Sequence, residues 1–376
     1  MTGGLSESTI DAAELLKRDV RLVLGGFIIL RRNSLMSKVR VAINGFGRIG
    51  RLVLRAMSEY DKEGLFEVVA IQRNSATPEQ MAYLLKYDTI HGRFSGTVSA
   101  EEDKLIVNGR PIVCVKADKP EQLPWKELGV DIVIESSGAY TKAEKAQWHI
   151  DAGAKKVVIT APGKGDGVAT FVMGVNEETY DPAKHSILSN ASCTTNCLAP
   201  LAKVLNNEFG IVKGLMTTIH SYTGDQRLLD GSHKKSNYRA RAAALSMVPT
   251  TTGAAKAVAL VIPALKGKLS GMALRVPTPD VSVVDLTFVP GRPVTAEEVN
   301  AAVKKASEGD MAMYVGYETD ECVSSDFIHD CRSGIFAPDQ TIAIDGLVKV
   351  FAWYDNEWGY SCRCVDLVNY VIKRGL

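Results

Sequence analysis

The segment Asn44-Gly45-Phe46-Gly47-Arg48-Ile49-Gly50 decides the fold of the first half of the chain. It provides the pattern G-x-G-x-x-G between a short apolar run and a stretch with helical spacing. Gly45 permits a tight turn, Gly47 lets backbone amides approach a pyrophosphate, and Gly50 allows the helix to pack closely on the strand. Because the N-terminus of a helix favours an anion, the segment predicts a dinucleotide site.

Strands and helices alternate outward from this motif. A second β-branched run at residues 66–71 completes a β-α-β unit with the strand and the helix that flank the motif. The predicted strands are residues 39–43, 66–71, 131–135, 157–160 and 187–189, and the predicted helices are residues 48–57 and 142–149. This alternation is typical of a mostly parallel sheet.

The pattern changes near Asn190, where longer strands begin. They are predicted at residues 214–220, 274–276, 281–289 and 341–353, and the last range contains Asp345-Gly346, a hairpin signal. We therefore expect an α/β fold with a Rossmann-type NAD(P)-binding domain and an α+β catalytic domain whose sheet is largely antiparallel. The expected boundaries are 37–190 for the first domain, completed by a C-terminal helix at 357–376, and 191–356 for the second.

The composition narrows the class of protein. The 376 residues include 44 Lys and Arg against 43 Asp and Glu, so no surplus of charge favours nucleic acid or an anionic membrane as the main partner. Seven cysteines, an odd number scattered through a large chain, fit a reducing cytoplasm better than a secreted disulfide framework. None of them forms the paired CxxC clusters of a structural zinc site, and we predict no metal.

Residues 1–36 do not share this pattern. Their apolar run at 22–30 is shorter than the roughly 20 residues that span a bilayer, and acidic residues precede it, unlike the basic start of a secretory signal. We expect an extension outside the fold, with Met36 as a possible true start. The alternative is a docking or targeting segment.

The end of the second predicted strand bears on the choice of coenzyme. An acid normally follows this strand and accepts hydrogen bonds from the adenosine ribose. Here Ile71 is followed by Gln72-Arg73-Asn74-Ser75. Two interpretations remain open: Arg73 offers a cation to a 2′-phosphate, or it points to solvent while the backbone holds the ribose.

Cys193 is the candidate nucleophile of the second half. It stands at the junction of a strand and a predicted helix, and a helix N-terminus favours the reactive thiolate. Cys197, one turn later, fits a small buried hydrophobic residue. His220, at the end of a predicted strand, is the candidate base, although a structural histidine in the core is the alternative.

Six motifs together resemble one family, the phosphorylating (type I) glyceraldehyde-3-phosphate dehydrogenases. The resemblance extends from about Lys38 to the C-terminus. The motifs are Asn-Gly-Phe-Gly-Arg-Ile-Gly-Arg from residue 44, Ala-Ser-Cys-Thr-Thr-Asn-Cys-Leu-Ala-Pro from 191, His-Ser-Tyr-Thr from 220, Thr-Thr-Thr-Gly-Ala-Ala-Lys-Ala from 250, Arg-Val-Pro-Thr-Pro from 275 and Trp-Tyr-Asp-Asn-Glu-Trp-Gly-Tyr-Ser from 353.

The resemblance implies a mechanism and a set of site residues. Cys193 attacks the aldehyde of glyceraldehyde 3-phosphate, His220 accepts the proton, a nicotinamide dinucleotide takes the hydride, and inorganic phosphate cleaves the thioester. The reaction belongs to glucose metabolism, in glycolysis or gluconeogenesis. The implied substrate-phosphate residues are Thr223, Arg239 and Arg275, and those for the attacking phosphate are Ser192, Thr194, Thr252 and Gly253. The implied coenzyme contacts are Asn44, Gly45, Phe46, Gly47, Arg48, Ile49, Ser137, Gly138, Thr160 and Asn356, to which we add Arg73.

Residues 222–245 resemble the family's S-shaped loop, which implies a homotetramer in which this loop packs near a neighbour's cofactor. The chain departs from the common form there. Gly231-Ser232 stands where NAD-specific members usually carry a bulkier apolar pair, and an extra residue precedes Arg239. With Arg73, this departure favours acceptance of NADP as well as NAD.

Two other functions remain open from the sequence. A paralogue that oxidises erythrose 4-phosphate would use the same cysteine chemistry. An RNA-binding or interaction role would use the adenosine groove of the dinucleotide fold, although the balanced charge argues against nucleic acid as the main partner.

Overall fold

The computed structural model describes residues 38–376. The expected extension at residues 1–36 lies outside the described residues. No helix in the described part of the chain is both long enough and apolar enough to cross a membrane.

The first half of the described chain builds a nine-stranded sheet and a two-stranded hairpin. Its strands are β1 (Val39–Asn44), β2 (Phe66–Gln72), β3 (Tyr87–Asp88), β4 (Gly92–Arg93), β5 (Val98–Glu101), β6 (Lys104–Val107), β7 (Arg110–Val115), β8 (Ile132–Glu135), β9 (Lys156–Ile159), β10 (Val168–Thr170) and β11 (Ile187–Ser189). Its helices are α1 (Arg48–Glu59), α2 (Pro78–Lys86) and α3 (Ala143–Asp151).

The order of strands in this sheet places a binding crevice beside β1. The sheet runs β10-β11-β9-β8-β1-β2-β7-β6-β5, and every neighbouring pair from β10 to β7 is parallel. Only β5, β6 and β7 pair in antiparallel fashion. Because β1 has β2 on one side and β8 on the other, the chain reverses its winding here. Ligands bind at such switch points in open α/β sheets.

The second half builds a seven-stranded sheet. Its strands are β12 (Ile211–Ser221), β13 (Val248–Thr251), β14 (Leu269–Val276), β15 (Ser282–Pro290), β16 (Val315–Tyr317), β17 (Gly334–Ile344) and β18 (Leu347–Tyr354). Its helices are α4 (Cys193–Phe209), α5 (Ala254–Val261) and α6 (Ala296–Glu308), and α7 (Trp358–Arg374) ends the chain.

This second sheet is largely antiparallel, as the sequence predicts. Its order is β13-β14-β12-β15-β18-β17-β16, with parallel pairing only at β12–β14 and β16–β17. The predicted hairpin joins β17 to β18, where Asp345 and Gly346 have φ angles of 46° and 78°. Both values lie in the left-handed region that a two-residue type I′ turn requires.

Helix α7 packs beside α1, against the core of the first sheet. Val365 and Val368 are fully buried in the same apolar cluster as Val41 and Ile43 of β1. The Nη2 of Arg363 donates a hydrogen bond to the Tyr60 hydroxyl at 2.8 Å, close to the end of α1. The last helix therefore completes a core that the first strand begins.

Helix α4 carries the link from the first sheet to the second. Its apolar side, including Leu198 and Leu205, is buried against Leu286 of β15 and Val350 of β18. Its first residue is Cys193, four residues after β11 ends. This placement holds the helix N-terminus at the carboxyl edge of the first sheet, next to the crevice.

Candidate active site

The glycine-rich loop has the close contacts that only glycine allows. Gly45 has a φ of 96°, and a Cβ there would lie 2.5 Å from the backbone of Ser137. A Cβ on Gly50 would lie 2.1 Å from the carbonyl oxygen of Gly45. A Cβ on Gly47 would meet nothing within 4 Å. Gly45 and Gly50 therefore close the turn, whereas Gly47 faces open space at the N-terminus of α1, where a pyrophosphate fits.

A buried carboxylate behind the loop ties two of the expected coenzyme residues together. Glu135, at the end of β8, is 1% exposed. It accepts hydrogen bonds from the side chain of Asn44, from the backbone N–H and hydroxyl of Ser137, and from Nε2 of His149. The indole N–H of Trp125 donates to Nδ1 of His149 at 3.0 Å, which leaves the imidazole proton on Nε2. All four groups that contact the Glu135 carboxylate are thus hydrogen-bond donors.

The other expected coenzyme residues line the same edge. Phe46 is buried and Ile49 is half-buried in the loop, and Gly138 has a φ of 72° after β8. The Thr160 hydroxyl donates to the carbonyl oxygen of Glu135 at 3.1 Å. Arg48 differs from these residues in forming ion pairs. Its guanidinium pairs with Asp88 at 2.9 Å and with Glu357. It thereby joins the start of α1 to the residue that precedes α7.

Arginines gather on the ribose side of the loop. Burial lowers the pKa of the Arg51 guanidinium, and the charges of Arg48 and Arg73 lower it further, while the carboxylates of Asp88 and Glu357 oppose the change. The Nε atoms of Arg51 and Arg73 are buried and have no hydrogen-bond partner among residues 38–376. The first turn of α1 contains no acidic residue. An anionic ligand would therefore satisfy the unpaired N–H donors at this corner of the crevice.

Cys193 and His220 meet at the junction of the two sheets. The Sγ of Cys193 lies 3.5 Å from Nε2 of His220. His220 is the last residue but one of β12. Ser192 caps α4 by accepting a hydrogen bond from the backbone N–H of Thr195 at 3.1 Å. Just before it, Ala191 has a φ of 53°, a left-handed conformation that is strained for alanine. The strained turn and the cap fix the direction of the thiol.

Burial controls the protonation of this pair. It raises the pKa of the half-buried Cys193 thiol, while the charge of Arg275 and hydrogen bonds from Thr194 oppose the rise. Burial, followed by the charge of Arg275, lowers the pKa of His220 to about 3. The free protein therefore presents a thiol to a neutral imidazole, which is the form that accepts a proton.

Arg275 of β14 lies directly behind the imidazole. Its Nη1 is 2.9 Å from Nδ1 of His220 and donates to the carbonyl oxygen of Ser221 at 2.9 Å. Nδ1 of His220 is itself 2.8 Å from that carbonyl oxygen. Parallel pairing of β12 with β14 sets His220 opposite Arg275 in the register of the sheet. The register of the two strands thus holds the guanidinium against the imidazole.

The remaining expected phosphate residues surround this centre. Arg239 contacts Asp225 and donates from Nε and Nη2 to the Thr250 hydroxyl at 3.0 and 2.9 Å. Its charge contributes to lowering the pKa of Arg275, for which burial is the largest cause. Thr223 is half-buried two residues after β12. The two arginines therefore lie close enough for their charges to interact, and Asp225 partly neutralises Arg239.

The residues expected to hold the attacking phosphate lie at two helix N-termini. Ser192 and Thr194 are at the start of α4, and Thr252 and Gly253 are at the start of α5. The Thr252 hydroxyl accepts a hydrogen bond from the Ala254 N–H at 3.2 Å. Thr194 is 4% exposed, and its hydroxyl is hydrogen-bonded to the Tyr354 hydroxyl at 2.9 Å. The Thr194 hydroxyl is therefore already engaged in the free protein.

Asn356 occupies the short connection between β18 and α7. It is 5% exposed, and its Oδ1 accepts hydrogen bonds from the hydroxyls of Ser221 and Ser282 at 2.8 and 2.7 Å. Because Ser221 follows His220 directly, the connection brings the amide close to His220.

One cluster of side chains has the composition of a metal site. His91, Asp280 and Asp355 place one possible ligand atom each within 4.8 Å of one another. Burial, with the nearby charges of Asp355 and Glu357, holds the pKa of Asp280 well above its usual range. Asp355 already accepts three backbone hydrogen bonds, from His329, Glu357 and Trp358. A protonated carboxyl is a poor metal ligand, and the expectation of no metal stays a prediction.

Reasoning from the sequence missed four polar residues of the site: Arg51, Glu135, Ser221 and Ser282. Arg51 and Glu135 carried a local signal, since one follows the glycine motif and the other ends a predicted strand beside Ser137. Ser221 belongs to the quoted His-Ser-Tyr-Thr motif, but its role, like that of Ser282, had no local signal because the partner Asn356 is more than 70 residues away in the chain.

Comparisons with known proteins agree with this geometry. Residues 39–143 match the family model described as "Glyceraldehyde 3-phosphate dehydrogenase, NAD binding domain", and residues 192–356 match the corresponding C-terminal domain. The chain is 56% identical over 340 residues to a glyceraldehyde-3-phosphate dehydrogenase of Geobacillus stearothermophilus, which covers 90% of this chain and 99% of that protein. It is 54% identical over 338 residues to glyceraldehyde-3-phosphate dehydrogenase 2 of Bacillus subtilis, and this match covers 90% of this chain and 98% of that protein. Glyceraldehyde-3-phosphate dehydrogenase 2 of Streptomyces avermitilis is 54% identical over 334 residues, which cover 89% of this chain and 98% of that protein.

Proposed function

The chain belongs to the glyceraldehyde-3-phosphate dehydrogenase family, and from this premise we propose how its residues divide the work of the reaction. The enzyme oxidises glyceraldehyde 3-phosphate to 1,3-bisphosphoglycerate through a cysteine thioester, with NAD as oxidant and inorganic phosphate as second substrate. This is a step of glycolysis. The observation that carries the assignment of roles is the 3.5 Å approach of Cys193 Sγ to His220 Nε2 at the N-terminus of α4.

Cys193 and His220 perform the covalent steps. The sulfur bonds to the aldehyde carbon as its proton passes to Nε2 of His220, and His220 then gives that proton to the former carbonyl oxygen, which completes a hemithioacetal. The bound coenzyme supplies the chemistry of a hydride acceptor. His220 accepts the hydroxyl proton as the carbon is oxidised, which leaves a thioester on Cys193. A phosphate oxygen then attacks the thioester carbon, and the Cys193 thiolate leaves.

Two anion pockets serve this sequence of steps. Arg239, Arg275 and Thr223 hold the phosphate that the substrate carries, because the two guanidiniums offer planar pairs of N–H donors. Ser192, Thr194, Thr252 and Gly253 hold the attacking phosphate between the N-termini of α4 and α5. For Thr194 this requires the hydroxyl to exchange Tyr354 for a phosphate oxygen.

The crevice beside β1 holds the coenzyme. Gly45, Phe46, Gly47, Arg48 and Ile49 surround the pyrophosphate, with Asn44, Ser137, Gly138 and Thr160 on the adjoining strand ends. Asn356 binds the nicotinamide carboxamide. The open space at Gly47 and the unpartnered Nε of Arg51 and Arg73 fit a dinucleotide.

NADP is accepted as well as NAD. The support is the surplus of cations at the ribose corner, where Arg73 stands in place of an acid and Arg51 lies beside it. Ser232, in the exposed Gly231-Ser232 segment of the S-shaped loop, adds a hydroxyl on the neighbouring subunit's side.

The enzyme works in the cytoplasm as a homotetramer. Its domains are 37–190, completed by 357–376, and 191–356, with 1–36 outside the family fold. The support for assembly is the exposed apolar surface around β12, β14 and the S-shaped loop. Leu215, Leu229, Leu245 and Met247 are 69 to 81% exposed. Monomeric proteins rarely leave such clusters uncovered.

An activity screen tests the substrate. Purified enzyme is assayed with glyceraldehyde 3-phosphate and with erythrose 4-phosphate, each with and without inorganic phosphate. The proposed function predicts turnover with glyceraldehyde 3-phosphate that depends on phosphate. Higher kcat/KM with erythrose 4-phosphate would move the assignment to the paralogue.

A further inference from the structure

Two buried serine hydroxyls converge on the oxygen of one amide. The hydroxyls of Ser221, at the end of β12, and Ser282, at the start of β15, lie 2.8 and 2.7 Å from Oδ1 of Asn356. Ser221 is fully buried and Ser282 is 2% exposed. Water therefore does not compete for either hydroxyl.

The hydrogen-bonding pattern fixes which end of the amide faces the serines. Ser282 Oγ already accepts a hydrogen bond from the Ser221 backbone N–H at 3.1 Å. Its own proton needs an acceptor, and Asn356 Oδ1 is the acceptor in reach. An amide turned by 180° would place two N–H donors against the serines and would leave buried hydroxyl protons without a partner, which is costly.

The Nδ2 end of Asn356 is consequently turned away from the serines. No described residue accepts a hydrogen bond from it, and Asn356 keeps 5% of its surface exposed beside the catalytic pair. A donor held in this way suits the carbonyl oxygen of the nicotinamide carboxamide.

We propose that Ser221 and Ser282 are positioning residues for the nicotinamide ring, acting through the orientation that they impose on Asn356. This inference rests on the proposed role of Asn356 as the anchor of the carboxamide. Ser221 has a second positioning role, since its carbonyl oxygen contacts Nδ1 of His220 and Nη1 of Arg275. One residue thus aligns the base through its backbone and the carboxamide anchor through its side chain.

Equilibrium binding of two probes tests the proposal without relying on turnover. NAD carries the nicotinamide, whereas ADP-ribose shares the rest of the molecule and lacks that ring. We expect the double variant Ser221→Ala/Ser282→Ala to bind NAD about threefold to tenfold more weakly, the range of one net hydrogen bond. Binding of ADP-ribose stays within twofold of wild type. Ser282→Ala alone gives a smaller change of the same kind, and provides the test if the double variant does not fold.

Ser361→Ala is the matched control. Ser361 is as deeply buried as Ser221, but its hydroxyl donates to the carbonyl oxygen of Glu357 at 2.7 Å and does not touch Asn356. The ratio of NAD to ADP-ribose affinity should remain that of wild type. Equal weakening of both probes in the serine variants would reduce Ser221 and Ser282 to structural residues and overturn the inference.

A third variant separates this inference from the role of Asn356. Asn356→Ala should weaken NAD at least as much as the double serine variant and leave ADP-ribose unchanged. If it does so while the serine variants bind NAD like wild type, the serines do not position the amide and the inference is wrong. If Asn356→Ala itself leaves NAD binding unchanged, the proposed anchor fails, and the inference fails with it.

Deuterium transfer gives a second readout of ring orientation. With glyceraldehyde 3-phosphate deuterated at the aldehyde carbon, wild type should deliver the label to one face of nicotinamide C4. We expect a measurable fraction on the opposite face in the double variant and none in Ser361→Ala. Complete retention of the facial preference in a double variant with normal NAD affinity would contradict the proposal.

Discussion

The Sγ of Cys193 and the Nε2 of His220 face each other at 3.5 Å, although the residues belong to α4 and β12 and are 27 positions apart. The imidazole is 4% exposed, and its other nitrogen lies against Arg275 and the Ser221 carbonyl. Only the side of the ring that faces the sulfur is therefore open for proton transfer.

Cys193→Ser should abolish oxidation of glyceraldehyde 3-phosphate while coenzyme affinity stays within a few-fold of wild type. A hydroxyl is a far weaker nucleophile than a thiol at this position, whereas the proposed coenzyme contacts lie mainly on the first sheet. Steady-state rates and NAD titration measure both effects. Cys322→Ser, which removes a half-buried thiol elsewhere, is the control. Turnover above about one per cent of wild type in Cys193→Ser would exclude the covalent mechanism.

His220→Asn should lower kcat by roughly 10²–10⁴, the usual contribution of a general base. Asparagine retains a polar group near Arg275 but does not accept the proton. Binding of NAD should be unchanged, which separates loss of chemistry from loss of structure. A fall of less than tenfold would assign His220 a structural role instead.

Arg275→Gln should make Cys193 ionise at higher pH. Burial raises the pKa of the thiol, and the positive charge of Arg275 opposes that rise. Removing the charge raises the pKa further, so less thiolate exists at a given pH. The rate of iodoacetamide alkylation, followed from pH 5 to 10, should reach half its maximum at higher pH than in wild type.

Arg239→Gln provides the comparison for this pH profile. Arg239 lies in the same cationic cluster but pairs with Asp225, and its loss should move the alkylation midpoint less. A midpoint that moves down in Arg275→Gln would contradict the electrostatic account.

Arg73→Ala should reduce kcat/KM with NADP about tenfold or more and change kcat/KM with NAD little. A charge-assisted hydrogen bond to the 2′-phosphate contributes roughly 1.5–3 kcal/mol, and NAD lacks that group. Arg292→Ala, which removes an exposed arginine paired with Glu298, is the matched control. A wild-type preference for NAD above a hundredfold, or equal losses with both coenzymes, would show that Arg73 does not contact the ribose phosphate.

Glu135→Gln should weaken NAD binding and destabilise the fold by about 1–3 kcal/mol. Every partner of Glu135 donates a hydrogen bond, so an amide N–H₂ at this position meets donors instead of acceptors. NAD titration and chemical denaturation measure the two effects. Glu127→Gln changes an exposed glutamate in the same way and should alter neither. If Glu135→Gln binds NAD and unfolds like wild type, Glu135 does not support the coenzyme site.

The parts of the site that sequence predicts are those fixed by neighbours in the chain. The glycine motif sets its own turn, and Cys193 is at a helix N-terminus because a capping serine precedes it. The β17–β18 hairpin follows from Asp345-Gly346. In each case, a few consecutive residues contain the physical reason.

The parts that escaped prediction depend on contacts between distant segments. Strands β5 to β7 were not predicted, because Val98–Glu101 has too few apolar residues to be recognised and Pro111 interrupts the run Arg110–Val115. The strained φ of Ala191 has no signature in its own side chain. Arg275 meets His220 only through the register of β12 on β14. Such pairings arise from tertiary structure.

The packing of α7 on α1 and β1 has a consequence for how the chain is made. Hydrogen bonds and ion pairs join Tyr60, Asp61 and Glu63 to Arg363, Asn369 and Lys373, over 300 positions later. During synthesis the ribosome releases the glycine motif and the first sheet long before it releases the helix that covers them. The apolar surface of α1 therefore remains without its native partner until α7 has been synthesised, and contacts of such high sequence separation form slowly. Nascent chains that stall before α7 would expose that surface to chaperones.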